Sequence, residues 1–241
     1  MILKDSERVE DLQCKGLKII QDKNLYCFTS DSVVLVNFVK TKKADKVVEV
    51  GAGFGVISIL IQAKNELQDI VAFELQTCMA ELCERNIKLN NLQDKIKVVC
   101  EDVKNFKKYL KPASVDVVVS NPPFYKATNF EQAEVKKIAK EDVCLPVEVL
   151  AETASKMLKD GGSFYCVYMA ERVAELIFAL QKEKLTTKEM FFTENGKGEI
   201  NLVVLKAVKG GKYGVKILPN LTRNDADGKY IKTLHTKHFC E

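Results

Sequence analysis

The chain has 241 residues and a mass of 27.1 kDa, a size that fits one domain of ordinary dimensions. Hydrophobic residues make up 46% of it and charged residues 29%, which argues against a disordered or a membrane-embedded chain. The net charge of +4 is unevenly spread, because residues 206–241 hold eight Lys or Arg and three acids. This basic end suits a partner that carries phosphate, although a solvated tail would have the same composition.

The first part of the chain predicts a short N-terminal extension. Residues 1–12 are polar and are expected to pack loosely. Two apolar runs, 16–21 and 25–28, flank a polar turn and predict a β-hairpin. Residues 29–31 supply capping side chains for a helix over 32–39. The extension is therefore expected to be a hairpin followed by one helix.

From residue 46 onward, apolar β-branched runs alternate with segments of helical period. The runs predict strands over 46–50, 70–73, 96–100, 115–119, 163–168, 187–193, 200–206 and 213–218. Helices are expected over 56–64, 77–90, 147–158 and 172–183. Gly161 and Gly162 are expected to end the third of these helices. Such alternation is typical of an α/β fold with a Rossmann-like, doubly wound, mainly parallel seven-stranded sheet. Ligands bind such sheets at the carboxyl ends of the strands, where strand order reverses.

The first of these strands runs into a glycine-rich loop, Glu49-Val50-Gly51-Ala52-Gly53-Phe54-Gly55. Glycines at alternate positions allow a tight turn and a close approach of the backbone to a ligand. The spacing is G-x-G-x-G, whereas the pyrophosphate fingerprint is G-x-G-x-x-G. The acid at Glu49 would repel a pyrophosphate but suits a cationic ligand that carries an amino acid. The loop therefore favours S-adenosylmethionine over NAD or FAD, with a simple packing turn as the alternative.

An acid follows each of the next two strands. Glu74 ends the second strand, 23 residues beyond Gly51, and can accept hydrogen bonds from both hydroxyls of a ribose. Asp102 follows the third strand, where its carboxylate can reach an adenine amino group. Either acid alone would more often be a solvated strand end. Together with the glycine loop and the turn that follows the fourth strand, they indicate one binding site.

The fourth strand ends in a rigid turn, Ser120-Asn121-Pro122-Pro123-Phe124-Tyr125. Two consecutive prolines fix the backbone and cannot donate to a sheet, so the strand must stop there. The turn presents a carboxamide before the prolines and two aromatic rings after them, which suits a flat ring that bears an amino group. A turn that only ends the strand is the alternative.

These motifs resemble those of class I, Rossmann-like, S-adenosylmethionine-dependent methyltransferases. Asn121–Phe124 resembles the (N/D)PP(Y/F) motif of members that methylate amino groups. The closer resemblance is to the bacterial tRNA1(Val) (adenine-37-N6)-methyltransferase family. It extends from about residue 11 to residue 220 and rests on residues 17–21, 28–38, 49–55, 73–76, 121–124 and 212–219. The resemblance implies methyl transfer to N6 of adenine 37, in the anticodon loop of valine tRNA.

The motifs and the resemblance together predict the site residues. The expected cofactor contacts are Phe28, Thr29, Ser30, Asp31, Glu49, Gly51, Ala52, Gly53, Gly55, Glu74, Leu75, Asp102, Val103 and Asn121. The expected catalytic residues are Asn121, Pro122, Pro123 and Phe124. The Asn121 side-chain oxygen and the Pro122 carbonyl are expected to accept both amine hydrogens, and Phe124 to stack on the base. The expected RNA contacts are Tyr125, Lys126, Lys212, Lys216 and Lys232.

The chain is expected to have three parts: an extension and lid over 1–45, a methyltransferase domain over 46–209 and a basic C-terminal strand and tail over 210–241. One departure concerns Lys140-Glu141-Asp142, where the family resemblance leads us to expect Arg-His-Glu. The resemblance therefore assigns no substrate contact of that histidine to this chain. The rival enzymes are a guanine-N2 RNA methyltransferase and a protein glutamine N5-methyltransferase. A non-catalytic RNA-binding scaffold on the same fold is a rival from another class, and an intact Asn121 argues against it.

The remaining expectations concern compartment and partners. Eight scattered cysteines without a C-x-x-C pair indicate reduced, cytosolic usage. No signal pattern and no membrane-spanning run is recognised, so a cytoplasmic protein without a membrane partner is expected. His235, His238 and Cys240 lack a fourth ligand, so no metal is expected. The protein is expected to act on tRNA as a monomer.

Overall fold

A computed structural model describes residues 2–25, 30–67, 69–123, 145–195 and 197–222. Some of the predictions above fall outside the described residues. They concern Phe28, Thr29, Phe124, Tyr125, Lys126, Lys232, the run 140–142 and the group His235, His238 and Cys240.

The described residues form two sheets and five α-helices. The N-terminal sheet consists of β1 (Glu7–Asp11) and β2 (Lys18–Asp22). The strands of the larger sheet are β3 (Lys46–Val50), β4 (Asp69–Glu74), β5 (Ile96–Cys100), β6 (Val115–Ser120), β7 (Leu158–Met169), β8 (Leu185–Glu194), β9 (Ile200–Lys209), β10 (Lys216–Ile217) and β11 (Leu221–Thr222). The helices are α1 (Ser30–Phe38), α2 (Val56–Asn65), α3 (Thr77–Leu89), α4 (Val147–Met157) and α5 (Val173–Lys182), and a 3₁₀ turn spans Val103–Lys108.

The larger sheet is doubly wound, with the strand order β10-β8-β9-β7-β6-β3-β4-β5 and β11 also paired with β8. Strands β3 to β7 are mutually parallel where they pair, and β9 runs antiparallel to both β7 and β8. Strand order reverses between β3 and β6, so the carboxyl ends of β3, β4, β5 and β6 meet at one edge. The predicted α/β fold is confirmed, and the two-residue strands β10 and β11 extend the outer edge of the seven longer strands.

The central strands are buried on both faces, which explains their continuous apolar sequence. Successive residues Val47 and Val48 of β3 are both 0% exposed, although their side chains point to opposite faces. A parallel sheet has this property because its crossover helices cover both faces. Helices α1 and α2 pack together, as do α4 and α5. None of the described helices has the length and apolar character needed to cross a membrane.

The expectation that residues 1–12 pack loosely is wrong, because this segment contains a strand that pairs with β2. Strand β2 pairs antiparallel with β1, which lies inside the segment 1–12, with Val9 opposite Ile20; most of the predicted partner run 25–28 lies outside the described residues. Strand β1 has one apolar residue, Val9, and all five of its residues are exposed or half-buried. It therefore shows no apolar alternation. Polar bonds fix it instead, among them the contacts of the Glu7 carboxylate with the Arg85 guanidinium at 2.5 and 2.7 Å. Apolar periodicity therefore could not find this strand.

The predicted role of Gly161 and Gly162 as the end of a helix is also wrong. Helix α4 ends at Met157, and Leu158 is already extended and pairs with Val115 in β6. Gly161 has a φ of +79° where the pairing of β6 and β7 shifts register. A Cβ on Gly162 would lie 2.9 Å from the carbonyl oxygen of Lys159. The two glycines therefore shape a bulge at the start of β7.

Candidate cofactor and amine site

A cavity opens at the carboxyl edge of the sheet, where strand order reverses between β3 and β6. Residues that end or follow four successive parallel strands line it, together with residues of α1 and α3. Ten predicted site residues are in this lining: Glu49, Gly51, Ala52, Gly53, Glu74, Leu75, Asp102, Val103, Asn121 and Pro123. The fold thus brings the four sequence motifs together.

The glycine loop after β3 folds against the end of β4. The N–H groups of Gly51 and Ala52 both donate to the Phe73 carbonyl, each at 2.9 Å. The φ angles are +72° at Gly51, +55° at Gly53 and +89° at Gly55. Residues with a Cβ are strained in this left-handed region, which glycine adopts freely. The alternate glycines are therefore required by the backbone path of the loop.

Glu74 holds the same loop from β4. Its carboxylate accepts hydrogen bonds from the N–H of Gly53 at 2.8 Å and from the N–H of Gln76 at 2.9 Å. The residue is 6% exposed, and burial raises the pKa of its carboxyl group. Each carboxylate oxygen can accept more than one hydrogen bond, so both can also receive ribose hydroxyls.

Glu49 lies deepest among the acids of the cavity, with 1% of its surface exposed. One carboxyl oxygen accepts the N–H of Ser58 at 2.9 Å and also the Ser58 hydroxyl, so Glu49 ties β3 to the first turn of α2. Burial raises the pKa of Glu49 to about 8, against the opposing effect of the Ser58 hydrogen bonds. The carboxyl group is therefore mostly neutral at pH 7, and a nearby cation would favour its charged form.

Asn121 lies at the switch point, directly after β6. Ser120, which is 0% exposed, donates its hydroxyl to the Val50 carbonyl at 2.8 Å and so joins the ends of β6 and β3. The side-chain nitrogen of Asn121 donates to the Ser32 hydroxyl at 3.3 Å. This bond uses the nitrogen of the Asn121 amide, and the amide oxygen has the chemistry of a hydrogen-bond acceptor.

The Asp102 carboxylate caps the 3₁₀ turn that follows β5. It accepts the Lys104 N–H at 2.9 Å and forms an ion pair with the Lys104 ammonium at 2.9 Å. Leu75, which is 45% exposed, and Val103 add apolar surface to the same cavity. A flat ring with an amino group fits this combination of an acid and two aliphatic side chains.

Four of the described residues that were predicted to contact the cofactor or to act in catalysis fall outside the lining: Ser30, Asp31, Gly55 and Pro122. Ser30 and Asp31 form the first turn of α1, Pro122 is buried, and Gly55 is the cap of α2. Conversely, sequence reasoning missed Ser32, Gln76, Met79 and Leu145, which do line the cavity. Ser32 and Met79 come from helices, and no spacing in the sequence relates them to the strand ends. Gln76 directly follows a predicted contact, Leu75, and was the one most open to detection.

Lys212 and Lys216, two of the predicted RNA contacts, lie in the segment 212–217 beside β8, here named the outer strip. Every residue of the outer strip is exposed, and Tyr213 is 85% exposed. The strip is nevertheless anchored, because the Lys188 ammonium donates to the carbonyls of Lys212 and Gly214, each at 2.9 Å. Within the described part of the chain, neither Lys212 nor Lys216 has an acidic side chain as an ion-pair partner. The strip therefore presents cations and an aromatic ring on a fixed backbone.

The outer strip reaches the same level of the sheet as the Asn121 turn. One row of paired residues crosses the sheet, and its members are Ser120, Cys166, Leu205, Met190 and Ile217. The row spans four strand spacings of about 4.8 Å each, or roughly 19 Å.

Known proteins are similar to this chain in sequence over most of its length. A sequence model described as "Methyltransferase small domain" matches residues 17–195. The tRNA1(Val) (adenine(37)-N6)-methyltransferase of Dyadobacter fermentans is 25% identical over 217 residues, which cover 89% of each chain. The protein of the same name from Bacteroides thetaiotaomicron is 26% identical over 219 residues, 83% of this chain and 91% of the relative.

Solved structures share the fold at lower identity. A predicted O-methyltransferase from Agrobacterium tumefaciens superimposes with a TM-score of 0.68 at 19% identity, covering 86% of this chain and 95% of the other. TYW2 of M. jannaschii, solved in complex with AdoMet, gives a TM-score of 0.60 at 16% identity, covering 86% and 87%.

Proposed function

This chain belongs to the methyltransferase small domain family, and we propose that it methylates the exocyclic N6 of an adenine in tRNA. The proposed target is the adenine at position 37 of valine tRNA, the base in the names of its curated relatives. The observation that carries the proposal is the position of Asn121, whose amide nitrogen is held by Ser32 in a cavity shared with the glycine loop.

The residues of the cavity fit S-adenosylmethionine, the expected methyl donor. Glu74 would hold the ribose hydroxyls, and Asp102 the adenine amino group. The Oε1 atom of Gln76 is buried in the lining without a hydrogen-bond partner among the described residues, so a donor on the ligand would satisfy it. The positively charged methionine part of the ligand, bound beside Glu49, would favour the ionised form of the Glu49 carboxyl group. When bound, S-adenosylmethionine supplies an electrophilic methyl group on its sulfonium.

Asn121 and Pro122 act on the amine of the substrate. The Asn121 side-chain oxygen and the Pro122 carbonyl accept its two hydrogens, which leaves the nitrogen lone pair directed at the methyl carbon. The amine nitrogen would accept the methyl group that bound S-adenosylmethionine supplies, S-adenosylhomocysteine would be the leaving group, and the amine proton would pass to solvent. Positioning of this kind accounts for much of the rate enhancement in such transfers. Phe124 stacks on the base and Tyr125 lies over it in this proposal.

The tRNA contacts extend from this site to the outer strip. Lys212 and Lys216 bind phosphates, and Lys126 and Lys232 add further cationic contacts. An adenine in an anticodon loop leaves its stack more easily than one in a duplex, which suits a recessed cavity. We further propose that the protein acts as a monomer and, because its proposed substrate is tRNA, that it acts in the cytoplasm.

Replacing Asn121 by Ala tests the proposed chemistry. We expect Asn121→Ala to bind S-adenosylhomocysteine within about twofold of the wild type but to lose methyl transfer by roughly 100-fold or more, because the amine is no longer aligned. Calorimetric titration measures the first quantity and transfer of labelled methyl to total tRNA the second. Gln93→Ala, which removes an exposed carboxamide that lies between α3 and β5 and does not line the cavity, is the control. Full activity of Asn121→Ala would overturn the mechanism.

Nucleoside analysis of the labelled tRNA identifies the base. N6-methyladenosine in valine tRNA supports the proposal, whereas N2-methylguanosine would indicate a guanine-N2 RNA methyltransferase. Labelled protein in place of RNA would indicate the glutamine enzyme. Binding of tRNA without any transfer would identify an RNA-binding scaffold.

A further inference from the structure

Two asparagines four residues apart, Asn86 in the last turn of α3 and Asn90 at its C-cap, bind the edge of β2 that faces away from β1. Asn86 accepts the N–H of Ile20 at 2.6 Å and donates to the carbonyl of Ile20 at 3.2 Å. Asn90 does the same for Lys18, accepting its N–H at 2.9 Å and donating to its carbonyl at 2.7 Å. Each side-chain amide therefore pairs with one residue of β2 as a neighbouring strand would.

The spacings of a helix and a strand explain why this arrangement works. Residues two apart on a strand are about 6.8 Å apart and present their N–H and C=O groups to the same side. Residues four apart on a helix rise about 6.0 Å along one face. Asn86 and Asn90 therefore meet Ile20 and Lys18 in register, and the hairpin docks on α3 through its backbone.

Asn86 makes one further contact that Asn90 does not make. Its second N–H donates to the carbonyl of Phe54 at 3.0 Å, inside the glycine loop. The second N–H of Asn90 instead donates to the carbonyl of Asn86 at 2.8 Å, within α3 itself. Asn86 is 0% exposed and Phe54 is 3% exposed, so this contact is shielded from water. Of the two amides, Asn86 alone joins hairpin, helix and glycine loop.

We propose that Asn86 is a positioning residue for the methyl donor, holding the glycine loop in its binding geometry through the Phe54 carbonyl. Phe54 lies between Gly53 and Gly55, which both have positive φ and the greatest backbone freedom of any residue type. A bond from a rigid helix fixes this carbonyl before the ligand arrives, which reduces the ordering that binding requires. The orientation of the amide is unambiguous, since both N–H groups meet carbonyls and the oxygen meets an N–H. The inference rests on the proposed use of S-adenosylmethionine.

Two matched substitutions separate loop positioning from hairpin docking. Asn86→Ala removes both functions, whereas Asn90→Ala removes a docking pair and leaves the loop contact. We expect Asn86→Ala to weaken S-adenosylhomocysteine binding about tenfold, the effect of losing one shielded hydrogen bond. We expect Asn90→Ala to change it less than about twofold, although both variants lower the melting temperature. Isothermal titration with purified full-length protein measures the affinity.

Steady-state kinetics with tRNA supply a readout that loss of stability alone would not move. Asn86→Ala is expected to raise KM for S-adenosylmethionine about tenfold with little change in kcat, because the loop acts in binding. Equal effects of the two substitutions on affinity, or no effect of either, would overturn the proposal. If Asn86→Ala does not fold, the pair Asn86→Ser and Asn90→Ser is titrated under the same criteria. A wild type that does not bind S-adenosylhomocysteine would overturn the proposed function as well.

Discussion

The buried carboxyl group of Glu49 shows how position gives a single side chain its properties. Its sequence context indicated a charge that would attract a cationic ligand. In the fold, the carboxyl is shielded by β3 and α2 and binds Ser58, and its pKa is raised to about 8. The charge is therefore mostly suppressed at neutral pH, and a cationic ligand would restore it.

The raised pKa of Glu49 predicts a dependence of stability on pH. The unfolded chain releases this proton near the ordinary value of 4.5, whereas the folded chain keeps it up to about 8. The stabilising contribution of the protonated group is thus complete below 4.5 and is lost as the pH rises through 8. Glu49→Gln keeps an uncharged side chain and removes the titration.

Urea unfolding of wild type and Glu49→Gln between pH 5 and pH 8 measures this effect. We expect the free energy of unfolding of the wild type to fall relative to the variant as pH rises, by up to about 1.4 kcal/mol per pH unit. Parallel pH profiles of the two proteins would show that Glu49 ionises normally.

The glycine loop and α3 illustrate packing between elements. Gly55 has a φ of +89°, and a Cβ there would lie 2.6 Å from the Cys83 sulfur of α3. Gly51 has a φ of +72°, but a Cβ there would meet nothing within 4 Å. Both glycines are therefore required by a positive φ, and of the two only Gly55 also lacks space for a Cβ.

Gly51→Ala and Gly55→Ala separate backbone strain from steric overlap. Gly51→Ala is expected to lower the free energy of unfolding by about 1–2 kcal/mol from strain alone. Gly55→Ala should lower it by about 1–3 kcal/mol more, because the new methyl overlaps Cys83. Thermal or urea unfolding measures both variants.

The double variant Gly55→Ala with Cys83→Ala checks the assignment. Removing the sulfur should recover part of the additional loss, which a double-mutant cycle detects as coupling between the two positions. Additive losses would mean that the overlap with Cys83 does not limit the loop.

At the scale of the whole molecule, the sheet sets the distance between the Asn121 turn and the outer strip. The row of pairs from Ser120 to Ile217 spans roughly 19 Å, from four strand spacings of about 4.8 Å. One nucleic acid can therefore contact both places. Tyr213 adds an exposed ring on which an unpaired base can stack.

Charge reversal in the outer strip tests this arrangement. Lys212→Glu with Lys216→Glu is expected to weaken tRNA binding at least about tenfold and to flatten its salt dependence, because phosphate contacts release counterions. Tyr213→Ala should weaken binding by about 1–3 kcal/mol without changing the salt dependence. Filter binding across a salt series measures all three changes. The control is Lys88→Glu with Lys111→Glu, which reverses the charge of two exposed lysines elsewhere on the protein. Equal losses of tRNA affinity in the two double variants would mean that net charge, and not the position of the lysines, causes the effect.

The sequence by itself determined the order of the helices and of the strands from β3 to β10, and it placed two acids and an amide at the carboxyl ends of the parallel strands. It could do so because parallel buried strands need continuous apolar runs, and because glycines and prolines fix the backbone locally. The sequence alone therefore places Glu74, Asp102 and Asn121 at one edge of the sheet.

Tertiary structure alone decided the contacts between distant segments. The partner of β2, the bond of Ser32 to Asn121 and the bridge from Asn86 to Phe54 join residues 11, 89 and 32 positions apart. Each contact depends on single polar groups that packing brings together. The spacing of polar residues along the sequence does not indicate which distant group such a residue will bind. Apolar patterning therefore predicted the sheet, while individual hydrogen bonds decided how the site is held.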